Sequence, residues 1–322
     1  MPYNSQISRT DADALIPQEV SNEIIKNVAD KNPLMRMARK LPNMSRAQRR
    51  MPVMSALATA YFVSGDTGTK QSSEVNWANK YIDAEELAVI VPIPEAVLDD
   101  ADYDIWGEVK ADLESAFDFA IFRAVTYGTN IPASWTTNLG AAGLVAGATA
   151  ASQVISLAAY TDLYEAILGE TPAGVSGLIG TIEEDGYMST GHIAHLTMRR
   201  KLRNVRDADG LPIFLPSMQV RGQYDLDGQA CEFPLDGSVD PTYLLQTGQW
   251  NQLVYAMRQD INYKILTEAV IQDAAGNIIY NLAQQDMVAL RAVMRLGFAL
   301  PNPINRVNAN SVTRFPFSFL TA

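Results

Sequence analysis

The triplet Asp66-Thr67-Gly68 is the first stretch of this chain whose residue types could do chemistry. Two such triplets face to face let a pair of carboxylates share one proton, the arrangement aspartic proteases use. The sequence holds one copy, so that chemistry needs a homodimer to supply the second. The surrounding run, Ser64 to Lys70, is equally well explained as a polar turn, because Gly, Asp, Thr and Ser all favour turn geometry. It does not form a Walker-type phosphate loop, which needs four residues between its glycines; Gly65 and Gly68 are separated by two.

His192 and His195 are the only two histidines. On a strand, residues three apart face opposite sides, and only a helix would bring the two imidazoles together. A zinc site also needs a further nitrogen, sulfur or carboxylate ligand, and no pattern nearby supplies one. Cys231 is the only cysteine, so an intrachain disulfide is impossible and a reducing compartment is expected. As a nucleophile it would need a base beside it, which the sequence does not indicate. The expectation is a protein that is not an enzyme and that takes no cofactor and no metal.

The 322 residues carry a net charge of −11, which argues against a phosphate-gripping, sequence-specific nucleic-acid binder. The charge is unevenly spread. Seven basic residues and no acid lie between Lys31 and Gly65, whereas eight acids and only Lys110 lie between Asp99 and Asp118. Such separation suits subunits that meet basic arm to acidic helix. Asp104, Glu108 and Asp112 form a like-charge ladder at spacing i, i+4, which either solvent screens, as it does most charge runs, or a basic partner neutralises; Arg46, Arg49 and Arg50 of another subunit are the candidates for that partner. No segment reaches the ~18 apolar residues of a membrane span, and the polar start carries no secretory signal pattern.

The elements that must position these charges can be read along the chain. Residues 1 to 14 are expected to be a flexible arm, and Leu15 to Ile25 an extended stretch leading into a short helix that Asn32-Pro33 breaks. Leu34 to Leu41 forms a further short element. Two strand-prone runs, Met51 to Val63 and Val75 to Pro94, flank the polar tip and predict a long hairpin with too few large apolar residues to bury itself. Asp104 to Gly128 predicts one long helix with an Asp N-cap, a Gly stop and a packing face of Ile105, Val109, Leu113, Phe117 and Ile121. At ~1.5 Å per residue such a helix is roughly 35 Å long.

Residues 133 to 152, rich in Ala, Gly and Thr, predict a loop or linker. Beyond it the pattern is mixed. Helices are expected at Thr161 to Leu168, Val175 to Asp185 and Thr197 to Val205, and a turn at Asp207 to Pro212. Strands are expected at Gly191 to Leu196, Leu244 to Leu245, Gln252 to Met257 and Tyr263 to Leu266. An antiparallel pair turns at Asp273 to Asn277, and Met287 to Leu300 closes the chain as a strand.

In this order the segments Leu15–Val20, Glu23–Ile25, Glu85–Asp100, Leu202–Phe214, Gly248–Trp250 and Asp286–Phe298 resemble the major capsid proteins of tailed bacteriophages of the Hong Kong 97-like fold. The resemblance implies an α+β fold with an N-arm and short helices (1–45), an extended β-hairpin loop (46–82), and an inserted axial α/β domain (131–280). It further implies a peripheral domain (83–130 and 281–322) holding the spine helix, residues 104–128. The hairpin would lie across a neighbouring subunit.

The implied function is self-assembly into pentamers and hexamers of an icosahedral shell around double-stranded DNA, without sequence specificity, in the cytoplasm of the host cell. The region before Leu15 is too short for a built-in scaffolding segment, so assembly is expected to rely on a separate scaffold protein or on none; a portal and optional decoration proteins are the further implied partners, with no membrane. Some members cross-link a loop lysine to a neighbour's asparagine; here Lys70 and Lys80 lie in the loop and Asn302 and Asn305 near the end, but no catalytic acid can be assigned. An encapsulin-type compartment and, more remotely, a dimeric aspartic protease are the alternative readings.

Overall fold

The computed structural model describes residues 33–63, 65, 68–100, 104–169, 176–206, 225–273 and 275–322. The expected N-arm before Pro33, the loop-tip Asp66 and the turn at Asp207 to Pro212 lie outside them. Among the described residues, 14 strands and eight α-helices build three bodies of structure.

The first is a four-stranded sheet in the order β1 (Arg39–Lys40), β10 (Val254–Leu266), β13 (Met287–Ala299), β4 (Glu85–Pro94). β13 is apolar along nearly its whole length because it is the sheet's long central strand, covered on both faces. It pairs with β4 without a break from Met287↔Pro94 to Leu296↔Glu85. Its pairing with β10 has register shifts between Met257 and Asn262. That irregularity explains why the sequence suggests two strands, at 252–257 and 263–266, where there is one.

The expected long helix is α3, Ile105–Tyr127, packed on this sheet through Leu113 and Phe117 against Leu290 and Ala292. Its bounds follow from its caps. The Asp104 carboxylate accepts from the Gly107 N–H at 3.1 Å, and glycine fits there because a Cβ would lie 2.5 Å from Asp104 Oδ2. At the other end Gly128 is left-handed, φ 73°, and a Cβ on it would lie 2.2 Å from the Ala142 carbonyl oxygen. Before α3, Glu95–Asp100 forms a short helix, α2, that the sequence reading misses.

The second body is a six-stranded sheet in the order β5 (Val154–Ser156), β14 (Phe317–Thr321), β9 (Tyr243–Gly248), β6 (His192–Ala194), β8 (Gln229–Glu232), β7 (Asp225–Leu226). Helices α6 (Leu163–Leu168), α7 (Leu178–Glu184) and α8 (Leu196–Arg203) pack on it around Ile179, Met198, Leu202 and Leu245. The division at 280/281 does not follow the sheets. β10, counted with the inserted domain, hydrogen-bonds to β13, and the C-terminal β14 crosses back to the six-stranded sheet. The apolar Phe317–Leu320 run finds its cover there, between β5 and β9.

Residues 133–152 are not a linker. They form α4 (Ala133–Leu139) and α5 (Leu144–Ala150), which bury Trp135, Leu139, Leu144 and Ala148 in the core shared by the two sheets. Their small residues permit close approach: a Cβ on Gly147 would lie 2.5 Å from the Phe315 ring. The short element expected from Leu34 onward begins as the helix α1 (Pro33–Met37), which Pro33 opens because proline suits a first helical position.

The third body is the hairpin of β2 (Gln48–Ala56) and β3 (Asn76–Asp83), antiparallel from Gln48↔Asp83 to Ala56↔Asn76. The expected second run divides at Ala84: β3 belongs to the hairpin and β4 to the four-stranded sheet. The Asp273 turn is as expected, joining β11 (Val270–Gln272) to β12 (Ile278–Asn281), with its carboxylate accepting from Ala275 and Asn277.

Candidate assembly surfaces

The hairpin is fixed at its base and bare beyond it. Ile82 is fully buried among Met44, Val254, Ala256 and Ala299, and Gly297 leaves room for the Asp83 carbonyl, which a Cβ would approach to 2.4 Å. Asn138 Nδ2 donates to the Asp83 carboxylate at 3.0 Å and Trp135 Nε1 to the Asp83 carbonyl at 3.1 Å. Further out, Trp77 is 67% exposed and Phe62 fully so, with Tyr61, Val63, Met54 and Tyr81 also exposed. The chain's own support there is slight: the Ile304 N–H donates to Met54 O at 3.3 Å and Arg306 to Ala58 O at 2.6 Å. Among the described residues nothing covers this aromatic surface, which marks the ribbon as an interaction surface.

Arg46 and Arg50 are exposed at the hairpin base, and Arg49 donates to the Pro42 carbonyl at 2.7 Å. On α3, Asp112 is exposed, Glu108 half-buried, and Asp104 is engaged as the helix cap. Among the described residues no ion pair joins the three arginines to these acids within one chain; the ion pairs formed are Arg36–Glu232, Arg123–Asp240 and Arg295–Glu86.

The residues singled out for chemistry are dispersed. Asp66 lies outside the described residues; beside it Gly65 has φ 68°, and Lys70 is exposed. His192 lies buried in β6 with Nε2 3.0 Å from Leu226 O, which it must donate to, and burial lowers its pKa to about 4. His195 instead caps α8, Nδ1 accepting from the Thr197 N–H at 3.3 Å. Cys231 is buried and its thiol pKa is pushed up to about 12 by desolvation, so it packs as a small apolar residue. Among the described residues no cluster of three or more His, Cys, Asp and Glu is arranged around a cation position.

Lys80 lines a cleft of about 530 Å³ together with Asn302. The asparagines, however, are committed internally. Asn302 Oδ1 accepts from Tyr187 Oη at 2.6 Å and its Nδ2 donates to Arg314 O at 2.9 Å. Asn305 Nδ2 donates to Asp185 O at 2.7 Å.

They belong to a polar knot that the sequence reading misses. Arg314, 2% exposed, donates to Asn302 O at 3.0 Å, Asn308 O at 2.7 Å and Tyr187 Oη at 3.2 Å. Asp185, also buried, accepts from Asn308 Nδ2 at 2.7 Å and the Phe315 N–H at 2.9 Å. The knot ties the 300–315 loop, which carries the hairpin's support, to the end of α7. The density of Asn between Asn302 and Asn310 is the signal that could have found it, because Asn side chains bond to nearby backbone in turns.

A long capped helix on one sheet, a second sheet reached by the C-terminal strand, and a hairpin left uncovered are the parts of a shell-building subunit. The chain belongs to the phage capsid family, whose sequence model matches residues 12–305. It is 23% identical over 290 residues to the major capsid protein of Staphylococcus phage 80alpha, covering 88% of this chain and 81% of that one. A solved chain of Microbacterium phage Oxtober96 superposes with a TM-score of 0.81 at 33% identity, covering 98% of this chain and 99% of that one. One of Mycobacterium phage Adephagia gives 0.78 at 28%, covering 98% of each. The mixed helix-and-sheet fold is thus that of Hong Kong 97-like capsid proteins, and the family is one of structural proteins. The resemblance drawn from the sequence is borne out.

Proposed function

We propose that copies of this chain assemble, as pentamers and hexamers, into the icosahedral head of a tailed phage enclosing double-stranded DNA. The observation that carries the reading is the β2–β3 hairpin, whose exposed Trp77, Phe62 and Tyr61 have no cover among the described residues of their own chain. In a shell the neighbouring copy covers them, and many such modest contacts add up over a closed lattice. In this reading α3 with the four-stranded sheet is the peripheral domain and the six-stranded sheet the axial one.

Arg46, Arg49 and Arg50 of one copy meet Asp104, Glu108 and Asp112 of the next. The contact with DNA is containment, in keeping with a net charge of −11. Assembly takes place in the host cytoplasm with a separate scaffold and portal. Electron microscopy of the purified chain at low salt, alone and with a scaffold, tests this. Closed shells or five- and six-fold rings are the expected result; a persistent monomer or dimer under both conditions overturns it.

A further inference from the structure

Between Gly186 and Arg206 the chain carries five basic residues, Arg199, Arg200, Lys201, Arg203 and Arg206, and no acid, against a net charge of −11 for the whole. Four of them lie on α8, which buries Met198 and Leu202, four residues apart, against the six-stranded sheet. The helix therefore turns its opposite side outward. Arg200 and Arg203 are exposed there, Arg206 is exposed just beyond the helix end, and Lys201 is half-buried on the flank.

The helix itself accounts for only part of this charge. Its dipole favours cations in the last turn. Arg200 and Arg203, three apart, and Arg199 and Arg203, four apart, nevertheless repel one another. Among the described residues Arg200, Lys201, Arg203 and Arg206 enter no ion pair. The next acids along the chain, Asp207 and Asp209, lie outside the described residues. Arg203 donates through Nε to Arg199 O at 3.4 Å, which leaves both terminal nitrogens of its fork for an outside acceptor.

We propose that α8 is where each copy touches the phosphate backbone of the duplex the shell encloses; this rests on the shell reading above and gives its DNA contact a place. Arginine forks fit phosphate oxygens two at a time. A protein partner would instead need an apolar, charge-poor centre, and Leu196 is the one exposed large apolar residue of the helix. A duplex carries one charge about every 1.7 Å of its axis, so a helix face about 12 Å long meets several phosphates. Such contacts read no base sequence. One small basic patch on an acidic subunit holds the duplex weakly, in keeping with containment.

Binding of a short fluorescent DNA duplex of mixed sequence to free subunits of the full chain, between about 0.05 and 0.2 M salt, tests this. Arg200→Gln with Arg203→Gln is expected to weaken binding about tenfold or more at the lowest salt. It should also lower the slope of log affinity against log salt by about 1.8, the share of two phosphate contacts. Arg200→Lys with Arg203→Lys keeps both charges and should keep the slope. Should the Gln pair not fold, Arg206→Gln alone should lower the slope by about 0.9. Unchanged binding in the Gln variant overturns the proposal. So does poly-glutamate that displaces the labelled duplex as effectively as unlabelled duplex does, which would make the partner an acidic protein. Shells of Asn204→Cys, with buried Cys231 silent, show which way α8 faces. A small maleimide should label them quickly, and one carrying a long polyethylene glycol chain far more slowly. Equal rates for the two reagents, fast or slow, put α8 outside or between subunits and overturn the proposal too. If the unaltered chain forms no shells while free subunits still bind the duplex, the shell reading is what fails.

Discussion

The Asp240 N–H donates to the Tyr127 hydroxyl oxygen at 3.0 Å, and that oxygen also accepts from Gln246 Nε2 at 2.9 Å. One phenol in the last turn of α3 thereby bonds the helix to the six-stranded sheet. Tyr127 stacks on Tyr243 with ring centroids 5.4 Å apart, and Arg123 one turn earlier pairs with Asp240. The two sheets are held at a fixed setting by this joint as well as by their shared apolar core.

Tyr127→Phe keeps the ring and removes the acceptor, leaving two part-buried donors without it. The expected loss is about 1–3 kcal/mol, the usual cost of unpaired buried donors. Urea unfolding of the free subunit checks it. Burial also raises the Tyr127 pKa above its ordinary 10, so the folded state keeps a proton that the unfolded chain releases. Stability must therefore fall as pH rises above 10, and the Phe variant must lose that part of the alkaline dependence.

His192 supplies the acid counterpart. Its pKa is about 4 in the fold against 6.5 unfolded, chiefly through desolvation. Between those values the unfolded chain binds a proton that the folded chain does not, so stability drops as pH falls through 6.5 toward 4. The integrated loss is on the order of 3 kcal/mol. Denaturant midpoints measured from pH 7.5 to 4.5 should show the slope, and His192→Gln should flatten it; an equal slope in both would remove His192 as the cause.

The polar knot is a stronger determinant. Arg314→Met strips the donors from Asn302 O, Asn308 O and Tyr187 Oη together, and leaves Asp185 buried beside a shortened network. Breaking a buried charged network costs about 3–5 kcal/mol. The variant should unfold at clearly lower urea. It should also expose the 300–315 loop and the 48–56 strand that Ile304 steadies to faster hydrogen exchange than the six-stranded sheet.

Two glycines in the same connection, Gly140 and Gly143, separate conformational strain from collision. Gly140, φ 78°, has nothing within 4 Å of where a Cβ would stand, whereas on Gly143, φ 94°, the same atom would lie 2.6 Å from Gly128 N. Gly140→Ala should cost about 1 kcal/mol, the strain of a left-handed alanine. Gly143→Ala should cost distinctly more, because the loop must also lift off the end of α3. Thermal unfolding of the two variants side by side distinguishes them.

What could be read in the sequence was local. The cap at Asp104, the stop at Gly128, the four-residue recurrence of apolar residues on α3 and the β-branched residues of β4 are each properties of a short window, and each survives in the fold. What escaped depends on distant partners. The small residues of 133–152 look like a linker until Phe315 is known to lie on Gly147. Phe317 to Leu320 gives no sign that its sheet partners are Val154 to Ser156 and Tyr243 to Gly248. For the candidate surfaces, the charge segregation and the hairpin's shortage of large apolar residues were visible, but the polar knot around Arg314 was not, since it joins side chains from separate segments.

The segregated charges make the last prediction. Arg46 and Arg50 are exposed at the hairpin base, and Asp112 is exposed and Glu108 half-buried on α3; within one chain no ion pair among the described residues joins the two clusters. If they meet between copies, Arg46→Glu with Arg50→Glu places like charges opposite one another and should abolish assembly at low salt. Glu108→Lys with Asp112→Lys should do the same alone, and the four changes combined should restore shells by reversing both partners. Asp104 is left untouched because its carboxylate caps the helix. Assembly of the unaltered chain should weaken between about 0.05 and 1 M salt, as the screening length shrinks from above ~10 Å to ~3 Å. Light scattering and electron microscopy of the three variants give the answer. Recovery in the combined variant identifies the pairing, and assembly lost in all three shows that the arginines and the acids face different surfaces.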